Sequence, residues 1–255
     1  MTLPVSTSVA LIASILISGV KAETKTESLD RLVRAYPEAL SRHDGRDIFW
    51  RDGTAMASDD GVENKSFDDL LRNASIDDQL RLSYPAGSTP PPELNYDPGR
   101  FRNEPFFKKM YGDCNSGELQ KSLVTVIWLP RSWGKPIQVT RTNGVADHLR
   151  EVSAEIDQLE PAIRAAAFPI AGVLSCRAVV DTGRMSMHGY AAAIDLNLKY
   201  SDYWLWAGRT KKIPYKNRMP REIVDIFERH GFIWGGKWYH YDTMHFEYRP
   251  ELLAK

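Results

Sequence analysis

The sequence predicts an α+β protein built on a small antiparallel sheet with segregated helices. Three observations carry that prediction. Short apolar or alternating runs of strand length lie in the second half of the chain. Helical stripes stand apart from them rather than alternating with them in regular βαβ units. No internal repeat or heptad is present. The 255 residues suit one generous domain, or one domain with a smaller annex. Thirty-three Lys and Arg balance thirty-three Asp and Glu. That zero net charge argues against a dedicated nucleic-acid binder, which normally carries a basic excess. No apolar run reaches the roughly 18 residues that a membrane span needs.

The chain opens with an apolar run, Val9 to Ile17, in which Ser14 is the one polar residue. Ser18-Gly19-Val20-Lys21-Ala22 follows, with Val20 and Ala22 at the two positions a signal peptidase reads. Residues 1–22 are therefore expected to be a cleaved signal peptide, although no Lys or Arg precedes the apolar run. A buried N-terminal helix or an uncleaved anchor is the alternative.

Leu29, Leu32, Val33 and Tyr36 recur at helical spacing, and Pro37 limits that helix. Phe49 to Gly53 reads as a strand entering a turn, and Phe67 to Leu82 as one or two short helices. The Pro, Gly and Ser density of residues 83–100 marks a loop or linker. Residues 23–100 are accordingly expected to form an annex, and 101–255 the main domain. Leu123 to Leu129 is an apolar strand with Ile137-Gln138-Val139 as its partner. Val145, Leu149, Val152, Ile156 and Leu159 form a helical stripe ahead of Pro161. Ile170 to Val180 reads as a buried strand, and Ile194 to Leu198 as another with Asp195 and Asn197 on one face. Pro220 opens a helix with Ile223, Ile226 and Phe227 on its buried side, and Gly231 ends it. Phe232 to Tyr248 is aromatic-rich and looks like a hairpin turning at Gly235-Gly236.

Cys114 and Cys176 are the only cysteines. In an exported protein an even pair is a candidate disulfide. It would close a loop of about 60 residues and contribute roughly 4 kcal/mol through chain entropy. Two buried free thiols are the alternative.

Two segments put histidines and carboxylates among small or apolar residues, where solvated charge seldom goes. They are Ser186 to Asp195, with His188, and Trp238 to Glu247, with His240, Asp242 and His245. Two histidines and one aspartate make a plausible catalytic zinc set, with a fourth position left for water. A further carboxylate is needed to take and deliver protons. On a regular strand 245 and 247 share a face and 242 does not, which favours Glu247 unless the chain turns between Asp242 and His245. A buried His–Asp pair without metal would account for the same residues.

At these residues the sequence resembles the zinc D-Ala-D-Ala carboxypeptidase and L-alanyl-D-glutamate endopeptidase family, peptidase family M15. That family carries S-x-H-x-x-G-x-A-x-D and, nearer the C-terminus, D- or E-x-x-H. Ser186, His188, Ala193 and Asp195 match the first motif, and Asp242 and His245 the second. The resemblance covers roughly Leu123 to Tyr248. It implies a Hedgehog/DD-peptidase-like fold and a Zn2+ ion held by His188, Asp195 and His245. It makes Asp242 the general base, Arg177 a contact to substrate and oxyanion, and Ser186 a substrate-binding residue. Arg184 is the competing arginine. The implied activity is hydrolysis of peptidoglycan stem peptides in the periplasm or outside the cell. A catalytically silent binding module on the same scaffold is the alternative. The motif's glycine falls on Ala191, a departure that matters if the backbone there needs positive φ, where alanine would cost roughly 1 kcal/mol or more.

Overall fold

The computed structural model describes residues 23–87, 91–179, 182–208 and 213–254. The expected signal peptide, residues 1–22, lies outside the described residues.

Helix α1, Lys25–Ala35, starts on a capping box in which Thr24 and Glu27 satisfy each other's backbone N–H. Its apolar stripe buries Leu29 and Leu32 completely. Strands β1 (Leu40–His43), β2 (Asp47–Trp50) and β3 (Ala55–Ala57) follow as an antiparallel meander in that order. Helices α2 (Phe67–Asn73) and α3 (Ile76–Leu80) each begin with the same device, Ser66 with Asp69 and Ser75 with Asp78. Helix α4 (Glu104–Tyr111) is capped by Asn103, whose side chain accepts from the Phe106 N–H at 2.9 Å.

The predicted pair over Leu123–Trp128 (β4) and Lys135–Thr140 (β5) is an antiparallel hairpin. Helix α5 (Val145–Ile156) turns its stripe inward, and a short helix α6 (Pro161–Arg164) starts at the proline that follows it. Strand β6 (Ala193–Asp195), helix α7 (Arg221–Arg229), strand β7 (Phe232–Trp234), strand β8 (His245–Tyr248) and helix α8 (Pro250–Leu253) complete the chain. The last three strands form one antiparallel sheet with β8 in the middle, β6 on one side and β7 on the other. Helices and antiparallel sheets are thus segregated, in keeping with an α+β class.

One buried apolar cluster runs from Leu29 of α1 through Phe106 and Phe107 of α4, Trp128, Leu149, Ile194, Phe227 and Phe246 to Leu252 of α8. Residues before 101 therefore share a core with the sheet that carries the two motifs.

Two expected strands differ from what forms. Ile170 to Val179 is not a strand, and Val180 lies outside the described residues. Isolated bridges, Gly172 with Asp195 and Ala178 with Met185, stand in place of a ladder, and residues 176–178 are exposed. Apolar composition alone overstated its burial; the segment is a rim beside β6 rather than a rung of the sheet. The strand expected to reach Leu198 stops at Asp195. The Asn197 carboxamide donates to the carbonyls of Ala165 (3.0 Å) and Phe168 (2.6 Å) and accepts from the Lys199 N–H (3.0 Å). That local bonding pulls the chain into a turn, leaving Leu198 exposed. The expected hairpin pairs as β7 and β8, but a turn at Gly235–Lys237 and a loop through Thr243 separate them.

Cys114 and Cys176 form a disulfide, with their Cα atoms 5.8 Å apart. It ties the chain just beyond α4 to the exposed rim. Replacing both cysteines with serine should release an entropic constraint of about 4 kcal/mol and lower the unfolding temperature by roughly 10 °C. Scanning calorimetry without reductant measures this; an unchanged midpoint would show that packing alone secures the rim.

Candidate functional site

Antiparallel pairing of β6 with β8 sets Asp195 directly opposite His245, so the two side chains leave the sheet on one face. His188 reaches the same point from a tight turn, Met187–Tyr190. Ser186 caps that turn, its Oγ accepting from the His188 N–H at 3.3 Å. The turn closes on Ala191 at φ 51° and ψ 31°, so the motif's glycine position does take the left-handed conformation. Alanine there costs about 1–2 kcal/mol. Its methyl group packs in a buried cluster with Cys114 and Leu119, which offsets about 0.8 kcal/mol of that cost. Gly189 does not take over this role; a Cβ there would lie 2.2 Å from the Met185 sulfur.

Three donor atoms converge. His188 Nε2 lies 3.1 Å from Asp195 Oδ1 and 3.2 Å from His245 Nδ1, and His245 Nδ1 lies 3.0 Å from Asp195 Oδ1. The opposite nitrogens are committed. His188 Nδ1 lies 2.7 Å from the Val173 carbonyl, which can only accept, so Nδ1 carries the proton and Nε2 a lone pair. His245 Nε2 lies 2.9 Å from the Glu247 carboxylate and donates to it. A neutral His245 therefore also directs a lone pair inward. With His245 neutral, three lone pairs would face one another and repel; a proton on His245 Nδ1 or a metal cation among the three atoms removes that repulsion. The chemistry of the donor set thus fits a divalent metal, with both imidazoles oriented by their outer partners as metal ligands usually are. Burial opposes charge on the His245 ring, but Asp195 and Glu247 outweigh it and raise the ring to about 10. Burial likewise opposes charge on Asp195, yet the two histidines hold its carboxyl well below the usual range.

Asp242 faces the same pocket. The chain does turn between Asp242 and His245, where the His245 N–H donates to the Asp242 carbonyl at 3.3 Å. Strand parity therefore does not govern Asp242. Its Oδ1 is closed off from solvent and has no hydrogen-bond partner. Burial pushes this carboxyl up to about 6, with Asp195 adding to the rise and His245 opposing it. Glu247, the other expected base, shares the face of His245 but lies behind it. It is fully buried, bonded to Arg102 at 2.7 Å and Arg249 at 3.0 Å as well as to His245. It orients a histidine and has no path to a substrate.

Four arginines line the pocket, and three are already engaged. Arg100 pairs with Asp97 at 2.8 Å and Arg102 with Glu247. Buried Arg184, the competing arginine, donates to the backbone carbonyls of Arg102 and Arg100. The exposed one is Arg177. Ser186 also lines the pocket, with its hydroxyl turned to the His188 backbone. Of the aromatics near the motifs, Trp204 and Trp238 line the cavity, while Trp234 and Tyr241 are buried in packing.

His240 is a pocket residue to which the motif spacing assigned nothing. Fully buried Asp97 accepts from its backbone N–H at 3.0 Å and from Nδ1 at 2.7 Å, leaving Nε2 as the other ring position. Phe67 stacks on the ring at 5.5 Å between centroids, and Trp204 meets it edge-on at 4.8 Å. A His beside an aromatic in a loop gives little local signal, because its partner lies 143 residues upstream.

Glu247→Gln should weaken metal binding about 10–100-fold, as loss of an orienting carboxylate commonly does. Competition against a chelator, on protein whose circular dichroism is unchanged, measures this; equal affinity would remove Glu247 from the site.

Residues 180–248 match the family model described as D-alanyl-D-alanine carboxypeptidase. No curated protein and no solved structure matches the chain. The matched segment contains His188, Asp195, Asp242 and His245, and begins just after Arg177. Over that segment the chain is similar to the M15 peptidases.

Proposed function

We propose that this protein is an exported zinc peptidase that hydrolyses bacterial cell-wall stem peptides, of the D-Ala-D-Ala carboxypeptidase or L-Ala-D-Glu endopeptidase type. The observation that carries the reading is the convergence of His188 Nε2, Asp195 Oδ1 and His245 Nδ1 beside a carboxyl whose Oδ1 is buried without a partner. Similarity to a family described as D-alanyl-D-alanine carboxypeptidase favours the carboxypeptidase. The disulfide suits an oxidising compartment, and no helix among the described residues is long and apolar enough to cross a membrane. The segregated helices and antiparallel sheet suit a Hedgehog/DD-peptidase-like fold.

His188, Asp195 and His245 would hold the metal. A zinc ion bound there would act as a Lewis acid on the scissile carbonyl and acidify a water molecule. Asp242 would accept a proton from the attacking water and return it to the leaving amine, so that amide plus water yields carboxylate plus amine. A carboxyl titrating near 6 suits both halves of that exchange at neutral pH. Arg177 would meet negative charge, either the terminal carboxylate of the substrate or the oxygen that gains charge during attack. His240, held through Nδ1 by Asp97, would offer Nε2 to the same region. Ser186 would support substrate from the turn that carries His188. Trp204 and Trp238 supply apolar wall.

Asp242→Asn should reduce turnover of a stem pentapeptide by about 100-fold or more while metal content stays unchanged. Mass analysis of released D-Ala, with metal measured on the same sample, tests this. Full activity in the variant would remove Asp242 as the base. A metal-loaded wild-type protein that cuts no wall peptide would instead be a binding module.

A further inference from the structure

Where α5 meets the end of α7, a second group of ligand-type side chains comes together. His148 and Glu151 lie on α5, three residues apart and so on one face of the helix, and His230 directly follows α7. His230 Nδ1 lies 3.0 Å from Glu151 Oε2, and His148 Nδ1 lies 3.4 Å from the same oxygen. All three donor atoms fall within 4.8 Å of one another. With metal–ligand lengths of about 2.0–2.2 Å, a tetrahedral ion sets neighbouring donors about 3.3–3.5 Å apart. The spacings of both histidine nitrogens from Glu151 Oε2, 3.4 and 3.0 Å, are close to that.

Two details separate this group from an ordinary surface ion pair. The outer nitrogen of His230, Nε2, lies 2.5 Å from Glu155 Oε1, one turn further along α5. Glu155 thus orients the ring as Glu247 orients His245, and Arg229 holds its other oxygen at 2.5 Å. His148 Nδ1 is shielded from solvent yet has no hydrogen-bond partner, although it faces the cluster. The His148 ring is fixed by stacking on Tyr248, at 5.4 Å between centroids and 22° between planes. The C-terminal end of α7, where His230 sits, adds partial negative charge that favours a cation.

We propose that His148, Glu151 and His230 form an accessory site for a divalent transition metal of the zinc type, clamping α5 to the end of α7. Imidazole and carboxylate donors select zinc or cobalt over calcium and magnesium, which take all-oxygen shells. The site remains open to solvent on the Glu151 side, whose side chain is 58% exposed, so water completes the coordination. It lies outside the peptidase pocket and does not depend on the reaction proposed for it.

Metal-stripped full-length protein titrated with zinc in a calorimeter, and with Co(II) followed by visible absorption, decides the matter. Wild-type protein should take up two equivalents. His148→Ala and Glu151→Gln should each take up one and retain wild-type peptidase activity, with an unchanged circular dichroism spectrum. His188→Ala should lose the other equivalent and keep the accessory one. A single equivalent in wild type that His188→Ala abolishes would overturn the accessory site. So would a second equivalent that survives both His148→Ala and His230→Ala.

Discussion

The constraint on which this structure turns is the burial of one carboxylate. Glu247 stands behind His245 with no exposure to solvent, and an isolated charge in that position would be prohibitively costly. Arg102 and Arg249 compensate it from two directions. Arg249, equally buried, then needs its own counter-charge, which Glu251 supplies at 2.6 Å. Tyr36, at the end of α1, donates to Glu251 at 2.6 Å, and Arg31 of the same helix donates to its backbone carbonyl. The requirement to orient one imidazole thus propagates through the core to the first helix. Such networks add little net stability over apolar packing, but breaking one at a single member costs about 3–5 kcal/mol. Their value here lies in geometry, because Glu247 fixes the orientation of the His245 ring.

A second carboxylate repeats the logic on the other side of the pocket. Asp97 is fully buried and accepts from both Arg100 and His240. Burial works against its charge, and Arg100 and His240 nonetheless hold its carboxyl below the usual range. Trp238 adds a donation from Nε1 to the Pro98 carbonyl at 2.7 Å, fastening residues 97–102 along the wall of the cavity. The described residues of the Pro-rich stretch, read as a loop from its composition, are irregular as expected. Asp97 within it supplies the carboxylate that holds His240.

The motif residues were legible in the sequence because each sits in an unlikely setting. Asp195 between Ile194 and Leu196, and His245 between Met244 and Phe246, are polar groups on apolar strands, and such groups have partners. Helix and strand periodicity located α1, β4, β5, α5 and α7 for the same reason, since a buried stripe repeats at a fixed interval. Parity correctly put Glu247 on the face of His245 but could not see the turn that brings Asp242 to the pocket. The Ile170–Val179 rim was misread because apolar composition does not report whether a neighbouring strand exists to pair with it. Arg102 with Glu247 and Asp97 with His240 were invisible, since ion pairs across more than 140 residues leave no local period.

The shared charges have a consequence for inheritance. The matched segment holds His188, Asp195, His245 and Glu247, while Arg102, Asp97 and Arg100 precede it. A recombination that carried residues 180–248 into another protein would transfer these side chains without their counter-ions. The recipient would have to supply a cation beside Glu247 and an anion beside His240 before the centre could settle. Substitutions at position 102 and position 247 are therefore bound to each other's fate, and the upstream third of the chain should change in step with the motifs rather than drift as a detachable accessory.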